Sequence, residues 1–301
     1  MMEVPAYLWQ QLVSQYGEET AQRIAEGYAA QRAVTLRANP LKSNIGAVRD
    51  ALGENGIETT PVSWYGDALI VQNAREDALT KLEMYESGAI YLQSLSSMIP
   101  PLLLEPGKNE SILDMAAAPG GKTTQMAALS GNTASITACE KNKIRAERLQ
   151  FNLERQGATR VNVMNEDARQ LSDLFRFDKI LLDAPCSGSG TILIEEGEPA
   201  RRMTPDWLKK TAATQKAMLT KALKLLSKGH IMVYSTCSIL QMENEDVLKA
   251  VLPASGAEIV PVQHEMMQHL PLLPVSIPGV VCVKPDQLHE GFFAAIIRKT
   301  K

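Results

Sequence analysis

Residues 111–124 read SILDMAAAPGGKTT. An apolar run ends in Asp114. Small residues, Pro119 and the pair Gly120-Gly121 follow, and then residues suited to a helix start. Strand, glycine turn and helix in this order form the opening unit of a parallel α/β sheet. The rhythm recurs downstream. ITACE (136–140) precedes a helical stretch near 141–156. VNVMNED (161–167) and KILLDAP (179–185) are strand-like. A long helix near 208–227 leads into HIMVYSTCS (230–238), a helix near 241–252 follows, and FFAAIIRK (292–299) closes the chain as a strand. Alternating βα units predict a doubly wound, mostly parallel sheet. Ligands of such sheets bind outside the C-terminal ends of the strands.

Upstream the pattern differs. Residues 7–31 have apolar side chains at helical spacing, with Gly17 as a break. VTLRAN (34–39) is strand-like, SNIGAVRDALGENG (43–56) reads as a helix ending at glycine, and SWYGDALIV (63–71) as a hairpin. A helix is expected over about 91–104, broken at Pro100-Pro101. Residues 1–85 thus form a small α+β domain and 86–301 the main one.

Bulk properties exclude several classes. No apolar run approaches the roughly 18–20 residues of a membrane span. The start, MMEVPAYLWQQ, lacks the basic and apolar regions of a signal peptide, so a cytoplasmic protein is expected. The four cysteines, Cys139, Cys186, Cys237 and Cys282, form no CxxC pair, and the four histidines are scattered. Neither a metal site nor a disulfide scaffold is expected. The net charge of −3 does not announce a nucleic-acid binder. It is uneven, with 8 basic and 14 acidic residues over 1–110 and 23 and 20 in the remainder. An anionic partner should therefore meet local clusters such as Arg201-Arg202 and Lys209-Lys210. Such pairs also suit a plain solvated surface.

The glycine turn contains GKT, yet a phosphate loop needs glycine five positions before Gly121, where Ala116 stands. The dinucleotide pattern fails too. What remains is a turn that lets a ligand approach the backbone and the helix N-terminus. Three strand-end acids surround it. Glu140 is placed to accept ribose hydroxyls, Asp167 to meet an adenine amino group, and Asp183 ends the fourth strand. Each alone suits a helix cap. Together they favour a nucleoside cofactor without a pyrophosphate, S-adenosylmethionine.

DMAAAPGGKTT (114–124), DAPCSGSG (183–190), VYSTCS (233–238) and MENED (242–246) together resemble the Nol/Nop/Sun (RsmB/RsmF-like) family of RNA cytosine-C5 methyltransferases. LRANPLK (36–42), GAIYLQSLSSMIP (88–100) and EGFFAAIIRK (290–299) extend the resemblance over nearly the whole chain. The resemblance implies a class I, Rossmann-like methyltransferase domain over 86–301. It implies a helical plus ferredoxin/RRM-like RNA-binding domain over 1–85.

The chemistry explains two cysteines. C5 of cytosine is a weak nucleophile until a thiolate adds at C6 and makes the ring an enamine. The resemblance implies that Cys237 is this nucleophile and that Cys186 assists product release. It places Asp183 at N3 of the base and Lys122 near the base carbonyl. Ala116, Ala117, Ala118, Pro119, Gly120, Gly121 and Lys122 become the methionine-side loop. Glu140 takes the ribose with Arg145 in support, and Asp167 takes the adenine. Two positions depart from the family pattern: Ala116 where Cys is common, and Glu140 where Asp is common. The implied partner is RNA, ribosomal or transfer, acted on by a monomer without metal. The target cytosine must be unpaired or flipped. Because the small domain is net acidic, positive charge should line a groove between the domains, with Arg37, Lys42 and Arg201-Arg202. Two rivals remain: an inactive RNA-binding scaffold, whose signature would be a lost active-site residue, and a DNA cytosine methyltransferase, which would use only the cysteine of DAPC.

Overall fold

A computed structural model describes residues 4–194 and 203–301. Two helices open the chain, α1 (Ala6–Tyr16) and α2 (Glu18–Ala29). Gly17 between them takes φ 78°, in the left-handed region that favours glycine, so the expected break is a bend between packed helices.

The small domain continues as β1 (Thr35–Ala38), α3 (Ile45–Glu54), β2 (Thr59–Pro61), β3 (Ala68–Val71), the short helices α4 (Glu76–Leu79) and α5 (Glu83–Glu86), and β4 (Ile90–Leu92). Its sheet is antiparallel with order β2-β3-β1-β4. Asn44 caps α3 by accepting a hydrogen bond from Ala47 N at 3.0 Å. The sheet needs β4, which pairs with β1 through Leu36, Arg37 and Ala38, so it extends beyond the expected boundary at 85. Strand β4 covers only Ile90–Leu92, too few residues to show an alternation.

The main domain holds α6 (Leu95–Leu104), β5 (Ser111–Asp114), α7 (Gly121–Leu129), β6 (Ser135–Cys139), α8 (Lys143–Gln156), β7 (Val161–Met164), β8 (Phe177–Asp183) and α9 (Pro205–Leu225). It ends with β9 (Leu226–Thr236), α10 (Glu245–Val251), β10 (Ala257–Val260), β11 (Val281–Val283) and β12 (Phe292–Lys299). The sheet order is β10-β12-β9-β8-β5-β6-β7, with β11 also on β12. Strands β5 to β9 are parallel, whereas β12 runs antiparallel to β9. Two apolar clusters, one around Leu113, Ile180 and Tyr234 and one around Ile112, Leu181 and Val233, bury alternate residues of the central strands. The order reverses at β5, which has β6 on one side and β8 on the other. The crevice over that point is where a ligand belongs.

Helix α6 is not broken at Pro100-Pro101, as expected, but runs through both. Pro101 cannot donate to the Ser97 carbonyl, and Gln93 Nε2 donates to it instead at 3.1 Å. A second correction concerns Arg37, which does not line a groove: it is fully buried between the domains. Its Nε donates to Gln93 Oε1 at 2.8 Å and its Nη2 to Thr124 Oγ1 at 2.5 Å and Gly121 O at 3.2 Å. Asn39 Nδ2 likewise donates to Gly88 O and Gln156 O. The LRAN stretch braces the small sheet against α7 and α8. Lys42 is exposed, and Arg201-Arg202 lie outside the described residues. Among the described residues no helix is long and apolar enough to cross a membrane.

Candidate active site

The glycine turn leaves β5 at Asp114 and enters α7 at Gly121. Gly120 has φ 110°, a conformation only glycine takes without strain. Asn152 Nδ2 and Arg145 Nη2 donate to the carbonyls of Pro119 and Ala118, each at 2.8 Å, so α8 fixes the turn from one side. Asp114 is buried beneath it. Its carboxylate accepts from Thr123 Oγ1 at 2.7 Å and Ala116 N at 3.3 Å. Burial outweighs these bonds and pushes the carboxyl up to about 6.

A cavity of about 300 Å³ opens beside the turn. Met115, Ala116, Glu140, Asp167, Cys186 and Met218 are among its walls. Glu140 directly follows β6 and is buried. Its Oε1 accepts from Asn142 N at 2.8 Å, and Arg145 Nη1 stands 3.5 Å from Oε2. Asp167 lies just beyond the end of β7 instead of closing the strand. It accepts from Arg169 N at 3.0 Å and pairs with the Arg169 guanidinium at 2.6 Å, which holds its carboxyl below the usual range. The helix-cap role and a place in the cavity wall therefore coexist. A second cavity, about 250 Å³, shares Ala116 and is lined by Asp114, Ala117, Ala118, Lys122 and Asp183 among others. A larger space of about 670 Å³ between the domains touches neither thiol nor glycine turn, so size alone does not select the site.

The two cysteines meet. Cys186 Sγ and Cys237 Sγ are 3.0 Å apart and both are partly buried. The hydrogen bond to Cys237 and burial together raise the Cys186 thiol well above its ordinary value. Lys122 Nζ lies 2.7 Å from Asp183 Oδ2 and donates to Ser97 Oγ at 2.9 Å. Burial pulls this ammonium down, but the adjacent Asp183 carboxylate overcomes it and the net shift is upward. Lys122 is therefore a lasting cation. Ser235 Oγ donates to Asp183 Oδ1 at 2.8 Å, so both carboxylate oxygens are held.

Residues 101–298 match the family described as 16S rRNA methyltransferase RsmB/F, and residues 4–76 match its ferredoxin-like domain. The chain belongs to the RsmB/F methyltransferase family. It is 36% identical over 233 residues to a tRNA (cytosine(72)-C(5))-methyltransferase of Pyrococcus horikoshii, covering 74% of this chain and 56% of that protein. It is 34% identical over 275 residues to ribosomal RNA small subunit methyltransferase F of Klebsiella pneumoniae, covering 88% and 57%. The chain thus spans little more than half the length of these relatives. The solved structure of NSun6 from Pyrococcus horikoshii with SFG superposes at a TM-score of 0.89 and 25% identity over the whole of both chains. Class I methyltransferase architecture and the ferredoxin-like domain agree with the sequence reading.

The site also includes residues that sequence patterns do not single out. Glu243, in the MENED stretch, is fully buried and has no cation partner among the described residues: its carboxylate accepts from Ser187 N at 2.8 Å, Ser187 Oγ at 2.6 Å and Thr211 Oγ1 at 2.8 Å. It anchors the Cys186 loop. Asn244 does the same for the other loop, donating to Ser238 O at 2.8 Å and accepting from Thr236 Oγ1 at 2.6 Å, on either side of Cys237. An acid six residues past a cysteine, as Glu243 is past Cys237, is a weak signal in sequence, and only its burial reveals the role.

Proposed function

We propose that this protein methylates C5 of a cytosine in RNA through a covalent Cys237–C6 adduct, with S-adenosylmethionine as methyl donor. The observation that carries the reading is the contact of two thiols from separate strand-end loops beside the Lys122–Asp183 pair. The names of the relatives support RNA and the C5 position, and a relative solved with SFG, an S-adenosylmethionine analogue, supports the donor.

The donor fits the residues present. The cavity beside Glu140 is of the size that ligand sites require, about 300 Å³ or more. Glu140 keeps acceptor capacity for ribose hydroxyls, and small Ala116, Ala117 and Ala118 leave room along the turn. Bound there, S-adenosylmethionine supplies an electrophilic methyl group.

The family resemblance makes Cys237 the nucleophile, and the hydrogen bond and burial that favour the protonated form of Cys186 are in keeping with that role. The Cys237 thiolate adds to C6, and the electron pair moves through the ring toward N3 and O2. Lys122 stabilises the charge that develops there, and Asp183 meets N3 as the protonated acid, donating its proton to N3 as charge builds on the ring. Once C5 carries the methyl group, a water molecule takes the C5 proton, the C5–H electron pair re-forms the C5–C6 double bond, and the C6–S bond breaks to return Cys237 as the thiolate. Cys186, against Cys237, is placed to assist that step.

The test is to trap the adduct. Cys237→Ala forms no denaturant-stable protein–RNA complex and no 5-methylcytidine. Cys186→Ala accumulates such a complex in the presence of S-adenosylmethionine. Denaturing gels with labelled RNA distinguish the two. The reverse outcome would make Cys186 the nucleophile, as in DNA cytosine methyltransferases.

A further inference from the structure

The two cysteine loops rest on the first two helices of the chain. Tyr28 of α2 donates its hydroxyl to Ser189 O at 2.6 Å, a fully buried bond. The Tyr28 carbonyl accepts from Ile194 N at 3.2 Å, and Arg32 Nη2 donates to Ile192 O at 3.1 Å. Helix α2 thus carries the stretch that leaves Cys186. Helix α1 carries the other loop. Gln15 Nε2 donates to Ile239 O at 3.0 Å while Gln15 Oε1 accepts from Gln241 N at 2.8 Å. Tyr16 adds a bond from its hydroxyl to Ile239 O at 2.6 Å. Between the loops, Gly190 N donates to Cys237 O at 2.9 Å, and the Ser189 and Ser238 hydroxyls lie 2.8 Å apart.

Loops beyond strand ends have no ladder to fix them. Two sulfurs that act in turn on one base need placement to a fraction of an ångström. The bonds from α1 and α2 supply it. We propose that this helix pair is part of the active site, and that Gln15 and Tyr28 are positioning residues that set the separation of the Cys186 and Cys237 sulfurs. The inference takes the two thiols as the working pair of the proposed function, but the measurement that decides it needs no RNA, so the two readings fail separately.

A 3.0 Å separation lets the sulfurs close to a disulfide with a shift of about 1 Å. Oxidation by glutathione disulfide reads out the geometry. The two protein thiols give up two electrons and two protons, a Cys186–Cys237 bond forms, the glutathione disulfide bond breaks, and two glutathione thiols are released. The equilibrium constant measures the effective concentration of one thiol at the other. Tyr28→Phe keeps the ring and loses one hydroxyl, and Gln15→Ala loses both bonds to the second loop. Each is expected to lower the constant about ten-fold, the equivalent of one good hydrogen bond. Each should also lower kcat on RNA and leave KM unchanged. Leu12→Ala removes a buried apolar side chain from α1 and should lower Tm while leaving the constant within about two-fold. Peptide mapping assigns the disulfide and separates it from Cys139 and Cys282. If Tyr28→Phe and Gln15→Ala leave the constant within about two-fold of the parent, the helices only pack and the proposal is overturned. Failure of the parent to form a Cys186–Cys237 disulfide overturns it too.

Discussion

Asp114 gives the glycine turn a pH signature. Its carboxyl is buried under the turn and pushed from the usual 3.8 up to about 6. A group that holds its proton more tightly in the fold contributes stability that is fully present below pH 3.8. That contribution is lost as pH rises through 6. Two pH units at about 1.4 kcal/mol each amount to roughly 3 kcal/mol. Other carboxylates titrate over the same range, so the quantity to measure is a difference. Asp114→Asn keeps the shape, and Thr123 can reverse its hydroxyl to accept from the new amide. Urea unfolding of both proteins between pH 4 and 7 should show the stability of the parent, relative to the variant, falling by about 2 to 3 kcal/mol, mostly between pH 4 and 6. A difference that stays flat to within about 0.5 kcal/mol would show that Asp114 titrates as an ordinary carboxylate, and the argument from burial would fail.

Two further outcomes are expected. Glu243→Ala strands the Ser187 amide and the Ser187 hydroxyl, at about 1–3 kcal/mol for each donor left without a partner, while Thr211 keeps the Leu208 carbonyl at 2.9 Å, and Glu243→Gln should cost about half as much; denaturant midpoints test both, and turnover should fall in parallel. Arg37→Ala should destabilise the fold by roughly 3 kcal/mol or more because it empties the brace between the domains, yet leave the salt dependence of RNA binding unchanged, since a buried guanidinium releases no counterion; a shallower slope would restore Arg37 as a phosphate contact.

Most of the large sheet was legible because its strands are buried on both faces and bounded by glycine or acid. Ile112–Asp114, Ile136–Cys139 and Ile180–Asp183 each read as a short apolar run before a turn, and each is a strand. The small edge elements were not legible. Strands β10 and β11 cover only Ala257–Val260 and Val281–Val283 and owe their conformation to pairing with β12. Arg37 misled for a related reason. A basic residue in a signature stretch suggests a ligand outside the protein, and nothing in sequence spacing distinguishes that from an internal brace. Burial of a guanidinium is uncommon, and only the tertiary contacts with Gln93, Gly121 and Thr124 explain it.

The contact between the cysteines was, in contrast, implicit in the topology. Asp183 ends β8 and Thr236 ends β9, so Cys186 lies three residues and Cys237 one residue past the ends of two strands. Those strands are neighbours and parallel, with Asp183 opposite Ser235. Neighbouring strands lie about 4.8 Å apart, so the loops beyond them must start side by side. What topology leaves open is the last few ångströms. Hydrogen bonds from Glu243 and Asn244, and from Gln15 and Tyr28 at the other end of the sequence, determine that distance. They join residues with no common period and no common motif. The candidate site residues stand in local patterns of the sequence, whereas the residues that hold them in place become visible only when the chain is folded.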